Sequence, residues 1–444
     1  MQFKTSSSAS LHQVVIVGGG AGGLELATRL GDKLGRKGKA EITLIDRTRT
    51  HVWKPLLHEI AAGSMNPDKH ELEYLAQAHW HHFNFRLGEM DGLDRSKKEV
   101  YIGANYDEDG VEIIPRRTIK YDTLIIAIGS TTNDFGIKGA RENSIALDTL
   151  DQAERFHRRL HNALVRAQTQ AGPVHAGQLE VVIVGAGATG VELAAELHNT
   201  TRELAAYGLD KIDPDKDVSI SLIEASDRVL PALPPNLSKA VDLELRKLRV
   251  HVYAGERVTE VTKTGIYTHS GRFIPSELVV WAAGIKAPDF LNNIDGLETN
   301  RINQLVVKRT LQTTFDQDIF AFGDCAACPM IGSVDNVPPR AQAAHQQASM
   351  LIKTVKARLH GKPLPSYTYK DYGSLVNLGR YSTVGSLMGS LSGGSMFIEG
   401  MFASLMYQSL YKMHLMALHG FCTVLLQTLA RMITRRTEPQ VKLH

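Results

Sequence analysis

The sequence predicts an α/β protein built on parallel sheets, and three observations carry that prediction. First, a β-branched run opening onto a glycine cluster and then a helical pattern occurs twice. Gln13–Val17 leads into Gly18-Gly19-Gly20-Ala21-Gly22-Gly23, and Glu180–Val184 leads into Gly185-Ala186-Gly187-Ala188-Thr189-Gly190. Second, each copy is followed by another strand that ends in an acid, Glu41–Ile45 before Asp46 and Val218–Ile223 before Glu224. Third, the apolar runs Thr123–Ile128, Leu278–Trp281 and Ile319–Phe322 end in Gly129-Ser130, Ala282-Ala283-Gly284 and Gly323-Asp324. Strand and helix patterns alternating in this way mark parallel βαβ units, whose ligands collect at the carboxyl ends of the strands.

Taken in order, Met1–Ser10 is Ser-rich and polar, without the apolar stretch of about 7–15 residues that a signal peptide needs, and reads as a frayed lead-in. The first glycine turn opens a helix carrying Leu24, Leu26, Ala27 and Leu30, and the second opens one over Val191–His198. In each turn the first glycine permits a tight bend, the second lets the backbone approach a pyrophosphate, and the third allows close helix–strand packing. Free amides and the positive dipole end of the helix then stabilise the anion. Asp46 and Glu224 sit where a carboxylate accepts hydrogen bonds from ribose hydroxyls. Glu224 repels a 2′-phosphate and so favours NAD over NADP, an inference that Arg228, four residues on, softens. Two dinucleotide sites in one chain fit a flavin and a nicotinamide brought face to face, with hydride chemistry carried by the cofactors.

At 444 residues the chain accommodates two or three domains. With 43% hydrophobic and 22% charged residues, disorder and collagen-like repeats are excluded. A net charge of +3, from 50 Lys+Arg against 47 Asp+Glu, is too small to draw the whole molecule to nucleic acid. Three cysteines, Cys325, Cys328 and Cys422, cannot frame a disulfide scaffold and fit a reducing compartment. After Gly361–Pro365 the pattern changes to strand-like pieces, Ser374–Leu378 and Tyr381–Leu387, and then to a long helical run in which Met413–Ala430 holds no Asp, Glu, Lys or Arg.

At this point the residues resemble a known family. VVIVGGGAGGLELA, VVIVGAGATGVELAAEL, WAAGIKAP and FAFGDCA are similar to the flavoproteins with two dinucleotide-binding domains, and HVWKPLLHEIAAG, RAQAAHQ and the apolar tail narrow the resemblance to type II NADH dehydrogenase, a single-chain NADH:quinone oxidoreductase. The resemblance implies two Rossmann-like dinucleotide-binding domains, for FAD and NADH, plus a C-terminal membrane-associating segment. Expected limits are 11–148 and 287–360 for the FAD domain, 149–286 for the NADH domain and 361–444 for the tail. It implies non-covalent FAD on Gly18, Gly20, Gly22, Gly23, Asp46, Lys54, Gly129 and Asp324, and NADH on Gly185, Gly187, Gly190, Glu192, Glu224 and Gly284. Glu192 is implied to lie near the nicotinamide–flavin contact and to handle protons. Gln342 and Gln346, at i and i+4 on one helical face, are implied to hydrogen-bond the quinone carbonyls, with His345 beside them as a proton carrier. Set against these are plainer readings: an acid favoured by the helix dipole, since Glu25 holds the same offset in the first turn, and a polar helix face in water. One departure stands out. Where the family often has a Lys before the glycine equivalent to Gly373, this chain has Tyr372, so a role tied to that Lys is in doubt.

Cys325-Ala326-Ala327-Cys328 has the spacing of a redox pair or half a metal site, but no second CxxC accompanies it, and small loop residues with no metal are the expectation. Met413–Ala430 is shorter than the ~20 apolar residues of a membrane span and is interrupted by His414, His419, Gly420, Gln427 and Thr428. Tyr411, Leu415, Leu418, Cys422, Leu425, Leu429 and Met432 recur at helical spacing, flanked by Lys412, Arg431, Arg435 and Arg436, as an interfacial helix on anionic lipid requires. The alternative cover is the protein's own core or a homodimer partner. Residues 400–444 carry five Lys/Arg and one acid, so the net positive charge belongs to the tail and points to a membrane surface rather than nucleic acid. The expected protein is a peripheral enzyme on the cytoplasmic face of a bacterial inner membrane, passing two electrons from NADH through FAD to a membrane quinone without pumping ions. The rival readings are a soluble NADH-dependent reductase of a protein acceptor, a sulfide:quinone oxidoreductase, and a non-enzymatic flavin-bound sensor.

Overall fold

The structure is a computed structural model that describes residues 11–378, 383–388, 395–399, 401–434 and 441; Met1–Ser10, Arg435 and Arg436 lie outside it. In chain order the strands of its main sheets are β1 (His12–Val17), β2 (Ala40–Asp46), β3 (Asn84–Leu87), β4 (Thr123–Ile126), β5 (Ile145–Ala146), β6 (Glu180–Val184), β7 (Ser219–Glu224), β8 (His251–Ala254), β9 (Leu278–Trp281), β10 (Ile319–Ala321), β11 (Gly373–Asn377), β12 (Thr383–Met388) and β13 (Ser395–Glu399). The helices that matter below are α1 (Ala21–Lys33), α2 (Leu57–Ala62), α3 (Leu150–Thr169), α4 (Ala188–Ala206), α5 (Ala341–Leu359), α6 (Met401–His419) and α7 (Phe421–Thr434).

The chain gathers into two units. One comprises residues 1–51, 71–130 and 286–370, the other 52–70, 131–285 and 371–444. The first unit is built on the parallel sheet β10-β4-β1-β2-β3, in which Val14, Val15, Ile16, Leu124, Ile125 and Ile126 are all buried. A sheet covered on both faces has no use for alternating polarity, which explains why these strands read as unbroken apolar runs. Because β1 pairs with β2 on one side and β4 on the other, the strand order reverses at β1, the place where such sheets open a crevice. The expected strand over Thr123–Ile128 ends early, at Ile126, because Ala127 turns across Gly18, where a Cβ would stand 2.4 Å from the Ala127 carbonyl oxygen.

The second unit repeats the plan as β5-β9-β6-β7-β8, again all parallel, with the reversal at β6. Its core joins Ile183, Val191, Leu193 and Val280 to Phe156 and Leu160 of α3, and α2 inserts Leu57, Ile60, Ala61 and Ala62 into the same cluster. That burial is why Val52–His70 groups with this unit rather than with its sequence neighbours, as the limits drawn at 148/149 and 286/287 had it. β11, β12 and β13 form a separate antiparallel sheet, of which β13 was not foreseen.

The tail differs from one continuous helix. Gly420 takes φ +80° between α6 and α7, and the left-handed conformation ends α6 there. The single expected stripe therefore splits. Leu415 and Leu418 are buried in the second unit, so they are not lipid-facing, whereas Phe421, Leu425, Leu426 and Leu429 on α7 are exposed. Trp53 fixes α6 by stacking on Tyr411 and His414, at ring-centroid separations of 5.2 and 5.9 Å. Lys412 is turned inward along the tail, donating from Nζ to Thr428 Oγ1 at 3.0 Å, and thereby ties α6 to α7. No helix among the described residues is long and apolar enough to cross a membrane.

Candidate functional site

In the first unit, Gly18 takes φ +102° and a Cβ on Gly23 would stand 1.8 Å from the Gly18 carbonyl oxygen, so only glycine lets α1 approach β1 this closely. Gly20 has nothing within 4 Å of where a side chain would begin. That open side of the turn, faced by the start of α1, is the cradle a pyrophosphate requires. Gly22 also serves packing: its missing Cβ makes room for the Phe322 ring, 2.5 Å from the Cβ position. Asp46 closes the turn by accepting the Gly19 amide at 2.6 Å, while its other oxygen accepts the Thr48 amide and hydroxyl.

The Gly19 carbonyl is held from behind by Tyr74 Oη at 2.8 Å and His51 Nδ1 at 3.0 Å, both buried. A carbonyl only accepts, so His51 carries its proton on Nδ1. Burial pushes His51 down to about 4 and keeps it neutral at ordinary pH. At the carboxyl ends of β4 and β10, Ser130 Oγ donates to Asp324 Oδ2 at 2.8 Å and Gln304 donates to the Asp324 carbonyl at 2.8 Å. Gly129 takes φ +74° beside open space. Gln347 Oε1 accepts the Gly323 amide at 2.8 Å, so a buried glutamine next to the expected pair anchors the Gly323-Asp324 loop. Sequence gave no signal that separated Gln347 from its neighbours; only a loop lacking its own hydrogen-bond partner would have asked for it.

The pair Gln342 and Gln346 does share α5, but the two side chains are not equivalent. Gln346 accepts the Lys370 amide at 3.0 Å and donates to the Lys370 carbonyl at 2.8 Å, with Tyr367 Oη on the same oxygen at 3.4 Å. Its amide thus serves the 367–370 segment. His345 is also committed: Nδ1 lies 2.6 Å from Glu25 Oε2, and the other oxygen of the buried Glu25 accepts Arg29 Nη1 at 2.6 Å. The Glu25 carboxylate holds His345 above its usual value. Glu25 is therefore more than an acid at a helix start.

The second unit repeats the cradle. Gly185 takes φ +104°, a Cβ on Gly190 would stand 2.0 Å from the Gly185 carbonyl oxygen, and Gly187 faces open space. Glu224 accepts the Ala186 amide through one oxygen and the Ser226 amide through the other, both at 2.8 Å. Arg228 donates to the Pro231 and Leu233 carbonyls at 2.9 and 3.3 Å, which turns its guanidinium to the 231–233 backbone. Gly284 accommodates the Phe135 ring, 2.3 Å from its Cβ position, so close packing accounts for that glycine. Glu192 is buried within α4, accepts the Asn377 amide at 3.0 Å and lies 3.7 Å from His58 Nδ1. Lys54 belongs to this unit and pairs with Asp148 at 3.1 Å; Asp148 in turn accepts the Thr132 amide at 2.7 Å.

Cys325 and Cys328 are free and buried, and burial pushes the thiols up to about 12 and about 11, far from a thiolate nucleophile. Among the described residues no cluster could hold a metal ion. Asp46 and the open face at Gly20 fit the adenosine and pyrophosphate half of FAD, and Glu224 with Gly187 fits the corresponding half of NADH.

Comparison with known proteins follows the same lines. The sequence profile of the pyridine nucleotide-disulphide oxidoreductase family matches residues 12–348. A type II NADH:quinone oxidoreductase of Haemophilus influenzae is 45% identical over 98% of this chain and 100% of its own length, and one of Mycobacterium tuberculosis is 28% identical over 98% and 91%. The structure of NDH2 from Plasmodium falciparum in complex with NADH superposes with a TM-score of 0.78 over 94% of this chain and 98% of that one; at 19% identity it speaks for the fold. A doubled parallel sheet with two carboxylate-closed glycine turns, matched end to end at 45% identity, places this chain in the type II NADH:quinone oxidoreductases of the pyridine nucleotide-disulphide oxidoreductase family.

Proposed function

We propose that this chain is an NADH:quinone oxidoreductase that uses FAD to carry two electrons from NADH to a membrane quinone. The observation that carries the reading is the repeated cradle, in which Asp46 and Glu224 each hold an amide of their own glycine turn and leave the face at Gly20 and Gly187 open. Bound FAD supplies the two-electron chemistry. The protein's part is to hold and orient. Gly18, Gly20, Gly23 and Asp46 seat the adenosine half of FAD, and Asp324, fixed by Ser130 and Gln347's hold on Gly323, meets its ribityl chain. Gly185, Gly187, Gly190 and Glu224 seat NADH, with Glu192 as the acid at the nicotinamide end. On the quinone side Gln342 is the amide assigned to the substrate carbonyl, Gln346 fixes the segment beside it, and His345, kept protonated-prone by Glu25, is the proton carrier.

The enzyme works on the cytoplasmic face of a bacterial inner membrane as a peripheral protein, through α7. Its exposed Phe421, Leu425, Leu426 and Leu429, with the net positive charge of the tail, suit an anionic lipid surface. The test is steady-state oxidation of NADH and NADPH, side by side, with a short-chain quinone, together with the flavin released on denaturation. The expected result is one FAD per chain and a marked preference for NADH; bound FAD with negligible quinone-dependent NADH oxidation would falsify the reading in favour of a flavin-bound sensor.

A further inference from the structure

α2 carries two titratable residues, His58 and Glu59, into an otherwise apolar cluster. Leu57, Ile60, Ala61 and Ala62 pack with Phe156 and Leu160 of α3 and with Val191 and Leu193 of α4. Placing an acid and an imidazole there costs free energy that apolar residues would avoid. Their arrangement is specific. His58, 2% exposed, has Nδ1 3.7 Å from Glu192 Oε2 and Nε2 4.0 Å from Glu59 Oε1, so each ring nitrogen faces a different carboxyl. A ring N–H also donates to the Pro55 carbonyl and holds the imidazole between the two acids. Glu59 is one-fifth exposed along its side chain and so reaches solvent, whereas Glu192 does so far less. Titratable groups near α2 among the described residues include Glu196, one turn beyond Glu192 on α4, His157 of α3, whose ring abuts Gly63, and the Lys54–Asp148 pair.

We propose that Glu59 and His58 form a proton relay from solvent to Glu192. Glu59 gives its carboxyl proton to His58 Nε2, His58 releases its Nδ1 proton to the Glu192 carboxylate oxygen, and Glu59 takes a replacement from water. No electrons move through the relay. The reaction NADH + H⁺ + quinone → NAD⁺ + quinol takes up one proton per turnover, which the relay delivers. Each gap exceeds a hydrogen bond by less than about an ångström and closes with a small side-chain rotation or one bridging water. At rest the outer acid holds the proton, and passage through His58 is uphill, so the charged imidazole forms only in transit. Burial, reinforced by Glu196, pushes Glu59 up to about 8, and burial pushes His58 down to about 4, so at neutral pH the outer acid is loaded and the imidazole is uncharged.

The inference rests on the assignment of Glu192 to the nicotinamide end, and the test separates the two. In the full-length protein with FAD bound and no NADH, infrared spectroscopy follows the carbonyl band of protonated carboxyl groups from pH 6 to 9. The expected band disappears near pH 8 and is missing from Glu59→Gln, an isostere of the loaded acid. In turnover with NADH and a short-chain quinone, Glu59→Gln and His58→Asn lower kcat by about a hundred-fold, the lower end of acid–base contributions. Glu59→Gln also loses the alkaline limb and the solvent deuterium effect of the wild type, and Glu59→Asp recovers part of both. A Glu59→Gln enzyme that keeps the wild-type alkaline limb and deuterium effect, or that keeps the wild-type infrared band, overturns the relay. Absence of quinone-dependent turnover in the wild type overturns the functional reading and, with it, the relay's purpose, while the infrared result still decides whether Glu59 holds the proton.

Discussion

Glu224 spends both carboxylate oxygens on the Ala186 and Ser226 amides, so its position over the second glycine turn is fixed before any nucleotide arrives. Glu224→Ala is expected to raise the NADH KM about ten-fold and to narrow the NADH/NADPH ratio of kcat/KM, since one charge-assisted contact is worth roughly 1.5–3 kcal/mol. Arg228→Ala is expected to leave that ratio unchanged, because the guanidinium serves the Pro231 and Leu233 carbonyls. The sequence let Arg228 soften the preference for NAD only because spacing says nothing of where a long side chain is anchored. Gly23→Ala and Gly190→Ala place a methyl 1.8 and 2.0 Å from a carbonyl oxygen, and each is expected to cost about 3 kcal/mol or more and to lower the fraction of chains carrying FAD or binding NADH, read by absorbance and by calorimetric titration. Those two glycines were legible because their partners lie five residues away. Gln347 and the Gln346 contacts were not, since Gly323 and Lys370 are 24 residues distant in each case.

At the scale of elements, the break at Gly420 assigns α6 and α7 different work. Leu418 is 1% exposed, and Leu418→Ala is expected to cost roughly 2–4 kcal/mol of stability in chemical denaturation while leaving vesicle affinity intact. Replacing Leu425, Leu426 and Leu429 together by Ser is expected to do the reverse: binding to anionic vesicles in a sedimentation assay falls at least ten-fold and the melting temperature stays put. Equal loss of both properties in the two variants would contradict this division. The helical period was readable from Tyr411 to Met432, but a glycine inside a periodic run leaves the pattern intact whether the chain continues or turns. The paired parallel sheets were readable for a related reason: strands covered on both faces print themselves as unbroken apolar runs, whereas the edge strands β3 and β8, half exposed, do not.

For the molecule as a whole, pH acts on stability from both sides. His51 and His58 have folded values of about 4, below the ordinary 6.5, so their contribution is complete above pH 6.5 and is lost as pH falls toward 4, on the order of 3 kcal/mol each. Glu59, raised from 4.5 to about 8, runs the other way: its contribution is complete below pH 4.5 and is lost as pH rises through 8. Thermal melting from pH 4 to 9 is expected to peak between these limits, and Glu59→Gln is expected to flatten the alkaline decline alone; an unchanged decline would place its origin elsewhere. The distribution of the three thiols has a practical side. Cys325 and Cys328 are sealed inside the first unit, and Cys422 is exposed on α7 beside Phe421, Leu425 and Leu426. The native chain thus presents one thiol to a maleimide reagent, and a spin label or fluorophore attached there would report how deeply α7 sits in a bilayer without any cysteine having to be engineered in or out.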